Sequence, residues 1–128
     1  MIEINNQTNE SVDTVFIKRV IQKVLKLEGK QKVSVSVALV ASSQARDLNR
    51  KYRKQEYVPD VLSFEDGDMG LGELVLCPEK IRADSEKYGI TEKEELGRCV
   101  VHGVLHLLSY THKTMQEKEE EYFGLLFK

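Results

Sequence analysis

The 128-residue chain has no tryptophan, only two cysteines and two prolines, and no more than three histidines. Each scarcity excludes something. Cys77 and Cys99 are far apart in sequence, so they make neither a CxxC metal knuckle nor a disulfide framework, and both are expected as reduced, buried thiols. No apolar run approaches the roughly 20 residues of a membrane-spanning helix, so no membrane partner is expected. The opening MIEINNQTNESVD is polar and acidic and lacks the basic start and apolar stretch of a secretory signal, which points to the cytoplasm. A net charge of −2 gives no global pull toward nucleic acid, and any such binding must rest on a local patch. Repeats, low-complexity tracts and linker-like segments are absent too, and the expected organisation is one domain over residues 1–128.

What remains is patterned. Val12, Val15, Phe16, Val20, Val24 and Leu27 recur at helical spacing and predict a helix from about Val12 to Leu27, stopped by Gly29. The alternation VSVSVALV, Val33 to Val40, predicts a strand. SSQARDLNRKYRK reads as a helix with Ala45, Leu48 and Tyr52 inward, and Pro59 forbids its continuation. VLSFE and LGELVLC are strand-like runs on either side of the turn-rich DGDMG. Pro78 opens and Gly89 closes a short helix. Thr91 with Glu94 three residues on is a capping-box signal, which starts a further helix ending near Tyr110, and MQEKEEEYFGLLFK supplies a last one.

All three histidines fall in HGVLHLLSYTH. Residues four apart on a helix share a face, so His102 and His106 can aim imidazole nitrogens at one point, and His112 can return as a third ligand after the helix ends. Three ligands with one open position describe a catalytic zinc site, whereas structural sites are usually closed by four cysteine-rich ligands. The spacing is that of the long metzincin motif without its glutamate, because Gly103 stands where that base would be. A glycine there costs the helix about 1 kcal/mol relative to alanine, which a close approach of substrate, or a tight crossing with another element, would account for.

With that glycine, HGVLHLLSYTH resembles the H-G-x-L-H-L-x-G-Y-D-H signature of the YbeY family of bacterial metal-dependent endoribonucleases. LNRKYR (Leu48 to Arg53) is similar to the family's L-N-x-x-Y-R, DVLSF (Asp60 to Phe64) to its P-T-D-V-L-S-F, and LGELVLC to its L-G-D-I-x-I-C. Ser109 replaces the signature's second glycine, where a left-handed backbone would strain a serine, and Thr111 replaces its aspartate. The resemblance implies an α+β fold, a small mixed sheet flanked by helices, with a metal site that begins on a helix and is completed by the following turn. It implies Zn2+, or another divalent ion such as Ni2+, on His102, His106 and His112, and Arg53 in the substrate cleft. A guanidinium can hold a phosphodiester bidentately and stabilise charge that develops in phosphoryl transfer.

The implied activity is single-strand-type RNA cleavage in ribosomal RNA maturation and ribosome quality control. The implied partners are the small ribosomal subunit and its RNA, with ribosomal proteins or an assembly GTPase. Two other readings share the metal: a zinc hydrolase of amide or ester bonds, and a metal-stabilised ribosome assembly factor without catalysis. Arg46, Arg50, Arg53 and Lys54 lie on one side of their helix and form the basic stripe that could track RNA. Asp60, Glu65 and Glu73 are carboxylates near the predicted strand ends, eligible as base or as partner to a ligand, and Glu119 to Glu121 form an acidic face that would repel RNA.

Overall fold

The computed structural model describes residues 1–65 and 70–127, with His112 and Lys113 described by their backbone alone. In chain order the elements are β1 (Ile2–Asn6), α1 (Thr14–Leu27), β2 (Val35–Leu39), α2 (Ser42–Arg53), β3 (Val61–Glu65), β4 (Gly72–Leu76), α3 (Pro78–Tyr88), α4 (Glu92–Leu107) and α5 (His112–Leu126). The expected α+β architecture is therefore present. Among the described residues the strands form one mixed sheet in the order β1-β2-β4-β3, with β1, β2 and β4 parallel and β3 antiparallel to β4.

The alternation of side chains along the strands divides the interior. Val35, Val37, Leu39, Leu74 and Leu76 face one side, where they meet Ile17, Val20, Val24, Val100, Val104 and Leu105 of α1 and α4. Val75, Leu62, Val40 and Cys77 face the other, packing with Ala45 of α2. Both cysteines are free and buried, as the sequence suggests. Helix α4 is the centre of the larger layer, packed on α1, α3, α5 and the β3–β4 pair.

Local signals set the helix ends. The Thr91 hydroxyl accepts from the Glu94 N–H at 3.0 Å, and the Glu94 carboxylate accepts from the Thr91 N–H at 3.1 Å, which fixes the start of α4. Pro78 stands in the first turn of α3, and Gly89 closes that helix at φ 68°.

Three sequence expectations change. Strand β1 falls in the opening segment read only as polar, because its alternation has just Ile2 and Ile4 to carry it, and pairing with β2 supplies the rest. The buried face of α1 is shifted from the expected one: Phe16, Val20 and Val24 are buried as expected, but Val15 and Leu27 are 66% and 49% exposed, while Ile17, Ile21 and Leu25 are buried beside them. Tyr52 of α2 is exposed, and Asn49 is buried in its stead, its amide donating to the Tyr57 carbonyl at 3.0 Å. The DGDMG turn, Asp66 to Gly70, lies outside the described residues except for Gly70. Among the described residues no helix is long and apolar enough to cross a membrane.

Candidate metal centre and cleft

His102 and His106 occupy successive turns of α4, a placement that the helical period alone requires. Their Nε2 atoms are 3.1 Å apart. Imidazole nitrogens that share one tetrahedral zinc at 2.0–2.1 Å stand about 3.3 Å from each other, so this spacing fits a pair that shares an ion. The opposite edge of the His102 ring, Nδ1, contacts the Glu119 carboxylate of α5. A carboxylate on the outer nitrogen is the usual support of a metal-bound histidine, because it holds the Nδ1–H tautomer and leaves Nε2 with its lone pair. Glu119, expected to belong to an RNA-repelling face, instead serves the histidine pair.

His112 is the first residue of α5, so the turn after α4 delivers it to the start of the next helix; its side chain lies outside the described residues. That turn is held at both ends. Ser109 adopts φ 67°, the left-handed conformation anticipated for the signature's glycine position. The Tyr110 hydroxyl donates to Glu28 at the end of α1 at 2.6 Å, and the Tyr122 hydroxyl of α5 donates to the same carboxylate. This contact pushes the Tyr110 phenol up to about 12, chiefly through the hydrogen bond to Glu28, with burial next.

His102 and His106 stand in the wall of a cleft of about 550 Å³ whose lining includes Arg53, Tyr57, Asp60, Arg98 and Cys99. Arg53, the last residue of α2, donates through Nη2 to the Ser63 carbonyl of β3 and lies over the Phe64 ring, 5.6 Å from its centroid. Arg53 and His106 also share a smaller depression with Glu65. The structure thus brings Arg53 beside the histidine pair, although they lie on elements far apart in sequence. The rest of the basic stripe does not line this cleft: Arg50 approaches Asp47 and Glu56, and Lys54 caps α2 in a left-handed conformation.

Gly103 explains how α4 sits so close to the sheet. A Cβ there would meet Leu74 Cδ2 at 2.8 Å and Val61 Cγ2 at 3.1 Å, and the Ser63 hydroxyl donates to the Gly103 carbonyl at 3.1 Å. Of the two sequence-level accounts of this glycine, the tight crossing is the one observed. It also ties β3, which carries the Arg53 acceptor, to the histidine helix.

Of the three carboxylates singled out by sequence, Asp60 lines the cleft and Glu65 the adjoining depression, whereas Glu73 lines a separate groove by Tyr52 and Phe64. Asp60 Oδ1 accepts from the Val61 N–H at 2.7 Å, and Oδ2 accepts from the Cys99 thiol at 3.4 Å. Ligand atoms of Asp60, Glu95 and Cys99 lie within 4.8 Å of one another, a donor set that can hold a divalent cation once the thiol is ionised. Burial, with Asp60 and Glu95 adding to it, drives the thiol pKa well above its ordinary value, so Cys99 is protonated here. Glu95 is fully buried, and both of its oxygens accept from Arg98, at 2.7 and 3.1 Å.

Sequence reading missed Glu95 and Arg98, and it gave Glu119 a different role. For Glu95 and Arg98 a signal exists: Glu95, Arg98, His102 and His106 recur at intervals of three and four along α4. Glu119 has none, since its distance from His102 is set by how α5 folds back on α4.

A family profile described as Endoribonuclease YbeY matches residues 3–124. The Endoribonuclease YbeY of Bdellovibrio bacteriovorus is 42% identical over 105 residues, which cover 81% of this chain and 69% of that protein. The Endoribonuclease YbeY of Bacillus velezensis is 35% identical over 94% of this chain and 87% of its own length. The solution structure of TM1509 from Thermotoga maritima is similar with a TM-score of 0.70 and 29% identity, covering 99% of this chain and 89% of that one.

Proposed function

The chain belongs to the YbeY endoribonuclease family, and from that premise we propose that it is a metal-dependent endoribonuclease acting on single-stranded segments of ribosomal RNA in the cytoplasm. The observation that carries this reading is the convergence of the His102 and His106 Nε2 atoms in a cleft that also receives Arg53. His102, His106 and His112 are the proposed holders of the ion, zinc first and nickel second by the chemistry of imidazole donors. When bound, such an ion lowers the pKa of water and polarises a phosphoryl oxygen.

The chain's own residues supply the rest. Arg53, steadied by the Ser63 carbonyl and the Phe64 ring, has guanidinium donors left to take the scissile phosphate and stabilise the charge that grows on its oxygens. Glu119 holds the proton on His102 Nδ1 and keeps Nε2 directed into the cleft. The small ribosomal subunit is the proposed setting, in maturation and quality control of its RNA, with ribosomal proteins or an assembly GTPase as partners.

The test is elemental analysis of the purified protein beside His106→Ala, followed by incubation of both with a structured ribosomal RNA fragment. About one divalent ion per chain, lost in the variant together with cleavage, is the expected result. Metal retained by a protein that cuts nothing would transfer the reading to a ribosome assembly factor. A wild type that neither keeps nor rebinds a divalent ion would remove the mechanism.

A further inference from the structure

Arg98 stands one turn before His102 and two before His106 on α4, so the three share a face, and all three line the same cleft. Its Nε and Nη2 are both engaged by the Glu95 carboxylate, which is fully buried beneath the helix surface. The Arg98 side chain is nevertheless 46% exposed. A guanidinium carries five N–H donors, and a bidentate pair on one edge leaves the others directed away from it. The Tyr88 ring lies 5.8 Å from the guanidinium carbon, further limiting where the group can move.

We infer that Arg98, held by Glu95, is a second phosphate anchor of this cleft and takes a linkage next to the one at Arg53. The inference rests on the ribonuclease reading above. It also adds to the substrate class: the cleft engages two phosphates of one strand, so a short chain of nucleotides is favoured over a single phosphodiester. Glu95 has two effects on this role. It cancels the charge of Arg98 at long range, so Arg98 adds little to steering, and it removes most of the ordering cost that a free arginine would meet on binding.

The competing account is that Arg98 only neutralises a buried carboxylate. Removing the arginine alone would strand that charge, and such a variant is at risk of failing to fold. The paired variant Glu95→Gln with Arg98→Gln removes both charges and keeps polar side chains in place. The experiment measures KM and kcat for wild type and the paired variant on a short single-stranded RNA, in which one linkage at a time carries a neutral methylphosphonate on either side of the cut.

A lost charge-assisted contact predicts a KM raised about tenfold in the paired variant, with kcat changed far less. In wild type one flanking methylphosphonate raises KM similarly, and in the paired variant that same linkage has no further effect. Such non-additivity marks a direct contact, which a merely structural arginine would not produce. If wild type cuts RNA and the paired variant retains its KM and its sensitivity at every linkage, Arg98 is structural and the nuclease reading stands. If wild type neither binds nor cuts RNA, the nuclease reading falls and takes the second anchor with it.

Discussion

Glu119 on α5 contacts Nδ1 of His102 on α4, so a carboxylate seventeen residues along the chain fixes which nitrogen of that imidazole faces the cleft. Replacing such a partner typically costs 10–100-fold in metal affinity. Glu119→Gln is expected to weaken zinc binding by roughly that factor while leaving thermal stability near wild type. Competition against a chromophoric chelator reads the affinity, and an unchanged value would show that the contact does not tune the site.

Gly103→Ala places a methyl group against Leu74 and Val61 where the nearest atoms are 2.8 and 3.1 Å away. Overpacking costs about 1–3 kcal/mol, and alanine returns about 1 kcal/mol of helix propensity. The expected net is a loss of about 1 kcal/mol, or a Tm lower by a few degrees. Calorimetry of the two proteins decides, and a Tm equal to or above wild type would mean that the sheet gives way more easily than its packing suggests.

Ser109 sits at φ 67°, where a residue with a Cβ is disfavoured. Ser109→Gly is therefore expected to stabilise the protein by about 0.5–1 kcal/mol, the strain relieved being partly offset by the greater freedom of glycine in the unfolded chain. Urea unfolding followed by circular dichroism measures it. A destabilised variant would indicate that the serine hydroxyl has a role which outweighs the backbone term.

The two phenols on Glu28 predict a response to alkali. Tyr110 has its pKa raised to about 12, and Tyr122 is also raised, by burial and by Glu28. A group whose folded pKa is raised contributes stability fully present below its unfolded pKa, about 10 for tyrosine, and lost as pH climbs through the folded value. Wild-type stability should thus fall between about pH 10 and 12. The unfolding midpoint of Glu28→Gln should start lower at neutral pH and fall less over that interval. Parallel curves for the two proteins would dissociate these hydrogen bonds from the alkaline limb.

Much of the site was legible in the sequence because it depends on local geometry. The i, i+4 spacing of His102 and His106 puts them on one face of any helix that contains them, and the Thr91–Glu94 box starts that helix. Val61–Glu65 was read to its residue bounds, since a short run rich in strand-forming residues beside a turn-forming segment suffices to define a strand. Helix α2 was legible as an element, read one residue past its end at Arg53, but its buried face was not, since Asn49 and not Tyr52 turns inward.

Relationships between distant elements were decided by tertiary packing. Strand β1 exists because β2 offers its edge, and too few of its own residues are apolar to announce it. The face that α1 buries follows from how it lies across α4 and β1, which moved Val15 outward and Ile17 inward. The approach of Arg53 to His106, the buried Glu95 beneath Arg98 and the Glu119 carboxylate on His102 all join residues through packed interfaces. Sequence alone determined which residues share a helix face, because that is fixed by 3.6 residues per turn. Which faces meet was left to the whole core, since burying apolar surface carries no direction of its own and only the joint fit of all the elements selects one arrangement.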